Sequence, residues 1–345
     1  MRDFKSIVRP NILRLSDATA TQVHTNDKMI KVRLDANENP FNAPHNRYHH
    51  NDNEELKNML GKMKGIWPHC IALSRGTDEA IDFIFRVFCV PQQDNILAIS
   101  PTSRRYEEYA LVNDVAYRPI YLNEQYQIAA NHVLSLTDEH TKVIFLCSPN
   151  NPTGNLLNRE ELLNICDKFH GVVVVDEGYN EFSRSESIVR CISQHHNLIV
   201  LNTLSKAFAS ADLRLSIIYA VPEIIRYIKT IIPHHHISHW AETQGIEILK
   251  RRFEVDKWIN QLLEERTKVM NAIKQLPFCK AVYPTNANFF LAKFKNATSV
   301  HQFLHNEGIA IFNCSDLPEC ENCLRITVGL PNENSTLIGA LRKYK

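Results

Sequence analysis

Four short apolar runs lie between residues 95 and 203, and none of them alternates apolar with polar positions. They are NILAIS (95–100), KVIFLCS (142–148), VVVVDEG (172–178) and LIVLNT (198–203). Strands that are apolar on both faces are typical of a sheet that helices cover on either side. The runs therefore predict the buried strands of one such sheet.

Helical patterns separate these runs. Residues 78–88 carry an apolar stripe at helical spacing, formed by Ile81, Ile84, Phe85 and Phe88. Residues 158–169 form a second pattern, in which Asn158 is the expected N-cap and Glu161 follows three residues later, as in a capping box. Strands that alternate with helices predict an α/β fold with a mostly parallel sheet.

The pattern changes after about residue 240. An amphipathic stretch from Trp240 to about Gln275 predicts one long helix, and the apolar runs ANFFLAKF, IAIFN and CLRITVG follow it. This order is typical of a smaller α+β domain joined to the sheet by a long helix. We therefore expect a large domain over residues 37–240. Residues 1–36 and 241–345 are expected to form the small domain, with the N-terminal segment packing on the C-terminal part.

Composition excludes several classes of protein. The chain has 345 residues, of which 44% are hydrophobic and 22% charged, as in ordinary globular proteins. Its formal net charge of +1 is dispersed, so we expect no nucleic-acid partner. No apolar run approaches the roughly 20 residues of a membrane span. The charged N-terminal sequence MRDFKSIVRPN is unlike a signal peptide, so we expect a cytoplasmic protein that binds no membrane.

Cysteines and histidines suggest no metal site. The chain has nine cysteines, and we expect them to be reduced in a cytoplasmic protein. Cys320 and Cys323 have zinc-ligand spacing, but no second pair follows to complete four ligands. The run His234–His236 is interpreted as a loop, with the alternative that it lines a pocket.

Polar residues with possible chemistry end several of the apolar runs. Asn151 lies in the turn after one run, Asp176 closes the next, and Lys206 follows the last within NTLSKAF. Thr77 begins a helix after Gly76, where free backbone N–H groups favour a phosphate. Each residue alone is also explained as a turn former or a helix cap. Because ligands of open α/β sheets bind at the carboxyl ends of strands, these residues are expected to meet.

Together these side chains suit pyridoxal 5′-phosphate. That cofactor needs a lysine for a Schiff base, a carboxylate that keeps the pyridine nitrogen protonated, and a phosphate site. Lys206, Asp176 and the start of the helix at Thr77 supply one candidate for each. Desolvation and nearby cations would lower the pKa of Lys206, so that its free amine could carry a proton.

The sequence also resembles a known family over nearly its whole length. It is similar to the fold-type I pyridoxal-phosphate aminotransferases, and most closely to their histidinol-phosphate aminotransferase members. The motifs that carry the resemblance are VRPNILRL, LDANENPFN, NRY, SRGTDEAID, FLCSPNNPTGN, VVDEGY, TLSKAF, ANFFLAKF and NCLRITVG. The resemblance implies the fold-type I architecture, with a mostly parallel sheet of the seven-stranded type and a smaller α+β C-terminal domain.

The resemblance implies a role for each matching residue at the cofactor. Lys206, Asp176 and Tyr179 form the catalytic set: Lys206 forms the Schiff base, Asp176 pairs with the pyridinium nitrogen, and Tyr179 bonds the phenolic oxygen of the ring. Asn151 is the second partner of that oxygen. The phosphate is expected to be held by Thr77, Asp78, Ser205 and Arg214.

Other implied roles concern the substrate and a second chain. Arg325 is expected to bind the anionic end of the substrate, with Asn151 and Asn37 as further substrate contacts. Tyr48 of NRY is expected to reach the cofactor phosphate of a partner subunit, which implies a homodimer with shared active sites. The implied substrates are a small amine and a 2-oxo acid.

Several positions depart from the family pattern. Ser103 stands where an aromatic usually stacks on the cofactor, and Ser216 stands where a glycine is usual. Phe312 occupies the position of a second arginine for the substrate phosphate. Asp212 replaces a small residue, His234–His236 replace a stretch with Tyr and Pro, and no tyrosine is apparent near DATATQ.

Three functions remain open on the sequence alone. The first is a histidinol-phosphate:2-oxoglutarate aminotransferase of histidine biosynthesis. The second is an aminotransferase or decarboxylase of the same fold that acts on another amino acid, because the substrate-phosphate pocket is altered. The third is a homologue that binds the cofactor without catalysis; the intact set of Lys206, Asp176, Asn151 and Tyr179 argues against it.

Overall fold

A seven-stranded sheet forms the centre of the larger part of the protein. The structure is a computed structural model that describes residues 4–20, 31–32, 34–43, 45–48, 53–233 and 235–344. The strands of this sheet, in chain order, are β1 (Ile71–Ser74), β2 (Asn95–Ser100), β3 (Ala116–Tyr121), β4 (Thr141–Cys147), β5 (Val172–Asp176), β6 (Leu198–Thr203) and β7 (Ser216–Tyr219).

The strand order is β1-β7-β6-β5-β4-β2-β3. β3, β2, β4, β5 and β6 run parallel to one another, whereas β7 is antiparallel to both of its neighbours. The prediction of a large, mostly parallel sheet is confirmed. The predicted strands at 95–100 and 198–203 have the observed bounds, and the other two are shifted or shortened by one or two residues.

The helices of the larger part precede, connect and follow the strands of this sheet. They are α1 (Pro10–Ala20), α2 (Glu54–Lys64), α3 (Thr77–Phe88), α4 (Arg105–Val112), α5 (Ala130–Ser135), α6 (Arg159–Lys168) and α7 (Pro222–Ile231). The four predicted stripe residues of α3 are buried, with at most 1% of each exposed. The side chain of Asn158 caps α6 by accepting from the backbone N–H groups of Glu160 and Glu161, as predicted.

The capping box expected at α6 does not form. The Glu161 carboxylate accepts from the backbone N–H of Ala130 in α5, and the Asn158 N–H donates to Gln127 at 2.9 Å. A neighbouring helix start therefore takes the carboxylate that would have closed the box. This contact ties α5 to α6.

The long helix expected from Trp240 to Gln275 is two helices, α8 (His239–Lys250) and α9 (Arg252–Lys274). Arg251 interrupts them with φ −87° and ψ 24°, and its guanidinium lies 5.4 Å from the ring centroid of Trp258. The break lets α8 pack on α2 while α9 continues to the second sheet. Near its start α9 buries Val255 and Ile259 in the large core.

A four-stranded antiparallel sheet forms the smaller part. It consists of β8 (Cys279–Val282), β9 (Phe289–Phe294), β10 (Phe312–Asn313) and β11 (Cys323–Thr327), in the order β10-β11-β9-β8, with α10 (Ala297–Asn306) and α11 (Pro331–Leu341). Val269 and Ile273 of α9 belong to its separate apolar cluster. α9 thus contributes to both cores, as a joining helix would.

The described N-terminal residues pack on the larger part. α1 contacts α7, and the backbone N–H of Arg9 donates to Val87 O at 2.9 Å. The side chains of Phe4, Val8 and Ile12 are buried in the apolar cluster of the large sheet. We predicted packing on the small domain instead. The three apolar side chains of this segment pack on the large core near α7 and α3. The sequence does not reveal this packing partner.

Two features are absent from the described residues. None of the helices formed by these residues is both long enough and apolar enough to cross a membrane. In the same part of the chain, no group of three or more His, Cys, Asp and Glu side chains could hold a metal ion.

Candidate active site

A cavity of about 220 Å³ opens at the carboxyl ends of β4, β5 and β6 and at the N-terminus of α3. Parallel strands end at one edge of a sheet, so residues far apart in the chain meet there. Eight of the predicted site residues line this cavity: Thr77, Asp78, Asn151, Asp176, Tyr179, Ser205, Lys206 and Arg214. The structure therefore brings together the Lys206 amine, the Asp176 carboxyl and the Asn151 amide. It also brings to them the start of α3 at Gly76–Asp78 with Arg214, which we call the anion cradle.

Asp176 ends β5 at the floor of the cavity. Its Oδ1 accepts from the backbone N–H of Gly178 at 3.0 Å, and its Oδ2 accepts from the Tyr106 hydroxyl at 3.0 Å. Enclosure by the protein raises the pKa of this carboxyl, although the two hydrogen bonds and the charge of Lys206 act to lower it. A carboxylate in this position favours a positively charged group as its next neighbour.

Tyr106 is a site residue that sequence reasoning missed. It begins the apolar stripe of α4, is completely buried, and stacks on Phe145 with ring centroids 4.9 Å apart. Its spacing from Ala110 shows that one face of α4 is buried. The partner of its hydroxyl depends on tertiary packing, because Asp176 lies 70 positions away in the chain.

Lys206 projects into the cavity from the turn after β6. Its Nζ lies 5.9 Å from the ring centroid of Tyr179. Enclosure by the cavity walls lowers the pKa of its amine, and the guanidinium groups of Arg325 and Arg214 lower it further, against the opposing charge of Asp176. A lysine with a lowered pKa has a larger neutral fraction near pH 7, and the neutral amine is the form that acts as a nucleophile or base.

The wall of the cavity at the start of α3 is suited to an anion. Gly76 precedes α3 with φ 94°, and a Cβ at this position would lie 2.4 Å from Nη2 of Arg214. Only glycine therefore lets the Arg214 guanidinium approach the start of α3. The free N–H groups of the first helical turn and this guanidinium offer the donors and the positive charge that a phosphate needs.

A chain of hydroxyl groups connects the two sides of this anion cradle. The Thr77 hydroxyl lies 3.2 Å from the Ser216 hydroxyl, which donates to Thr203 Oγ1 at 2.9 Å. Thr203 Oγ1 in turn lies 3.0 Å from Ser205 Oγ. Ser216, which departs from the family pattern, thus links Thr77 to Thr203 at the end of β6, the strand that precedes Lys206.

Ser103 and Arg105 line the cavity where the family pattern has an aromatic ring. The Nε of Arg105 lies 3.6 Å from Oδ1 of Asp78, and its Nη1 pairs with Glu108 at 2.7 Å. A half-exposed cation therefore takes part of the wall that an aromatic side chain would form.

Arg325 reaches the cavity through Asn151. Its Nη1 donates a short hydrogen bond to Asn151 Oδ1. The guanidinium also lies over two aromatic rings, 5.5 Å from the centroid of Phe289 and 4.5 Å from that of Phe312. Phe312 therefore does more than leave a cation out of the site, because its ring stacks on the cation that is present.

Arg325, Tyr48 and Asn37 are the three predicted site residues that do not line the cavity, and of these Arg325 contacts the lining residue Asn151. Asn37 is exposed, lies outside any helix or strand, and has φ 54°. The backbone N–H of Tyr48 donates to Glu38 Oε1 at 2.6 Å, and the Tyr48 ring stacks on His235 at 4.9 Å between centroids. Tyr48 is thus fixed in place while 56% of it remains exposed. His234 and residues 21 and 22 of DATATQ lie outside the described residues.

The groups that line the cavity fit those that pyridoxal phosphate needs. An anion cradle of Gly76 and Arg214, a carboxylate with a raised pKa and an amine with a lowered pKa all line one cavity. These match the phosphate, the ring nitrogen and the aldehyde of that cofactor.

Sequence comparison links the chain to known proteins. Residues 13–341 match the family described as aminotransferase class I and II. The chain is also 43% identical over 345 residues to a protein from Bacteroides fragilis named histidinol-phosphate aminotransferase, and the match covers 100% of both chains.

Two solved structures have a similar fold. The histidinol-phosphate aminotransferase from Clostridium acetobutylicum has a TM-score of 0.79 at 24% identity, over 86% of this chain and 90% of that one. The histidinol-phosphate aminotransferase from Sinorhizobium meliloti, solved in complex with pyridoxal-5′-phosphate, has a TM-score of 0.78 at 17% identity, over 98% and 88%. At these identities the likeness shows the fold-type I architecture and nothing finer.

Proposed function

Because the chain belongs to the class I and II aminotransferases, we propose that it transfers an amino group from histidinol phosphate to 2-oxoglutarate with pyridoxal phosphate as cofactor. The substrate rests on its relatives, which carry that name at 43% identity over the whole chain. The observation that carries the chemistry is the convergence of Lys206, Asp176 and the Gly76–Arg214 cradle on one cavity.

In this proposal the chain would hold the cofactor at its phosphate and at its ring nitrogen, and Lys206 would form the covalent attachment. Arg214, Ser205 and the first turn of α3 at Thr77 and Asp78 hold the phosphate. Asp176, oriented by Tyr106, holds the proton of the ring nitrogen. When bound, the cofactor supplies a ring that accepts the electron pair left when the substrate amine loses its α-proton.

The remaining work falls to side chains of the protein. Lys206 Nζ would form the covalent link to the cofactor and, when free, would be the base that takes the α-proton of the substrate and the acid that gives it back. Its lowered pKa increases the fraction of the amine that is neutral and able to take a proton. Tyr179 and Asn151 hydrogen-bond the phenolic oxygen, and Arg325, held by Asn151, orients the anionic end of the substrate.

We further propose a homodimer in which Tyr48 completes the site of the partner chain. Tyr48 is an exposed aromatic whose backbone and ring are both fixed, and it lies apart from the cavity of its own chain. A residue held rigidly toward solvent suits a contact across an interface better than a contact within one chain.

A second candidate function follows from Phe312. The ring of Phe312 covers Arg325 at 4.5 Å, in the position where a phosphate-binding arginine is expected. This arrangement favours an amino acid without a phosphate group as donor, for either transamination or decarboxylation. It keeps the cofactor and changes only the substrate.

The test is a half-reaction with each candidate donor. The protein loaded with pyridoxal phosphate is mixed with histidinol phosphate, histidinol, phenylalanine or phosphothreonine, and the conversion of the cofactor from its aldehyde to its amine form is followed by absorbance. Conversion by histidinol phosphate supports the first function, and conversion only by donors without phosphate supports the second. Cofactor binding without conversion, and without release of carbon dioxide from any donor, would indicate a non-catalytic homologue.

A further inference from the structure

Three residues form a closed ring of hydrogen bonds next to the anion cradle. His236 Nε2 lies 2.6 Å from Glu79 Oε2, which also accepts from the backbone N–H of Arg75 at 2.6 Å. The Arg75 guanidinium returns to the same segment, because its Nε and Nη2 donate to the carbonyl oxygen of His236 at 2.9 and 2.7 Å. The His236 side chain is 5% exposed.

This ring encloses the backbone that forms the cradle. Arg75 precedes Gly76, and Glu79 lies in the first turn of α3, so the cradle residues 76–78 fall between the two members of the ring. On the other side, the Ser74 hydroxyl donates to Gly76 O at 3.0 Å. His236 belongs to the loop between α7 and α8, and it is therefore the member that ties the cradle to a separate part of the fold.

The ring also has an electrostatic consequence. Glu79 places a carboxylate within one helical turn of a site for an anion, where its charge would repel a phosphate. Burial acts to raise the pKa of Glu79, yet the hydrogen bonds and charges of His236 and Arg75 lower it overall, so the carboxylate is ionised. Hydrogen bonds from His236 and Arg75 therefore compensate the negative charge of Glu79 beside the cradle.

The same loop contacts Tyr48. The ring of His235 stacks on Tyr48 with an interplanar angle of 17°, and Phe83 of α3 lies 5.9 Å from the His236 ring. Two adjacent histidines thus contact the cradle on one side and the Tyr48 segment on the other.

We propose that His236 is a positioning residue for phosphate binding, which acts on the cradle through Glu79 and Arg75. The inference rests on the proposed function, since the phosphate is that of pyridoxal phosphate. His236 touches neither the cavity nor the reacting atoms, so its effect is on the affinity for the phosphate group and not on chemistry at the ring.

The experiment compares pyridoxal phosphate with pyridoxal, which lacks the phosphate. Dissociation constants of both are measured by absorbance titration of the apoprotein for the wild type, His236→Phe and the control His305→Gln on α10. His236→Phe keeps a ring and removes the donor. Loss of a hydrogen bond to a charged group predicts roughly 10-fold weaker binding of pyridoxal phosphate, with pyridoxal and the control unchanged within about 2-fold.

A double variant separates charge compensation from packing. Glu79→Gln in the His236→Phe background removes the uncompensated charge, and it should recover most of the lost affinity for pyridoxal phosphate. Equal weakening of both ligands, or no recovery in the double variant, would show that His236 only supports the fold and would overturn the proposal. If His236→Phe does not fold, His236→Leu, which also removes the donor, is judged by the same ratio of the two ligands.

The outcomes also separate this inference from the proposed function. A wild-type protein that binds neither ligand would refute the function itself. A wild type that binds both, with an unchanged ratio in the His236 variants, would refute the inference and leave the function standing.

Discussion

The hydroxyl of Tyr106 donates a hydrogen bond to Oδ2 of Asp176 at 3.0 Å, from a helix that follows a different strand of the sheet. The contact orients the carboxylate, whose other oxygen is held by Gly178. It also opposes the effect of burial on the pKa of Asp176. In the proposed function Asp176 acts in its ionised form, so the contact has a measurable consequence.

Replacing Tyr106 with Phe should shift the acidic limb of the pH profile upward. Without the hydroxyl, burial acts less opposed and the pKa of Asp176 rises, so the ionised form and the activity are lost at a higher pH as the solution is acidified. A hydrogen bond to a charged group corresponds to about one pH unit. The measurement is kcat/KM against pH, with Tyr109→Phe on the same helix as control; an unshifted limb would contradict the role of Tyr106.

Lys206 should be the residue that carries the cofactor. Borohydride reduction of the loaded protein followed by peptide mapping is expected to place the label on Lys206, because its pKa is lowered at the end of the cavity. Asp176→Ala should retain the label and lose turnover, since the carboxylate that holds the ring proton is gone. A label on another lysine would rule out this assignment, and Lys142, outside the cavity, serves as the control position for an Ala substitution.

Much of the large sheet could be predicted because its central strands are apolar on both faces, as in NILAIS and LIVLNT. β3 could not, because it is the edge strand and its AYRPIY sequence has mixed exposure with an internal proline. β1 and β7 have four residues each, which is too short for a periodic signal. The break at Arg251 has no glycine or proline to mark it, so a continuous helix is what the periodicity predicts.

In the site, too, some residues could be predicted from the sequence and their contacts could not. Lys206 and Asp176 are recognisable because each interrupts or ends an apolar run, where a charge needs a reason to be present. The partner of a side chain is not recognisable, because packing sets it: His236 meets Glu79 across 157 positions. The histidine run could be interpreted only as a loop or a pocket wall, and the structure assigns His236 to a buried contact with α3.

Two inactive variants should restore activity when mixed, if the sites are shared between subunits. Lys206→Ala removes the amine, and Tyr48→Phe removes the hydroxyl that is proposed to reach the partner's phosphate. A mixed dimer then contains one site in which both residues are native. The expected activity is up to about one quarter of the wild type for random mixing of equal amounts, because half of the dimers are mixed and each has one intact site of two. A mixture as inactive as its components, with subunit exchange verified, would exclude sharing.

Phe312 should limit the use of histidinol phosphate, and Phe312→Arg should increase it. In the structure the Phe312 ring covers Arg325 at 4.5 Å, and the two residues are paired across β10 and β11. An arginine at position 312 would add a second guanidinium where one is present. A desolvated charge-assisted contact is worth on the order of 2 kcal/mol, so kcat/KM for histidinol phosphate is expected to rise roughly 30-fold.

The same substitution should not improve histidinol, which has no anionic group, and phenylalanine, whose anion is a carboxylate, should gain less than histidinol phosphate. Phenylalanine and histidinol are therefore measured beside histidinol phosphate, and Phe312→Leu is the control that removes the ring without adding charge. A wild type that already uses histidinol phosphate efficiently, with no gain from Phe312→Arg, would show that another cation binds the phosphate. Arg105, which lines the cavity beside Ser103, is the candidate, and Arg105→Met would then lower kcat/KM for histidinol phosphate alone.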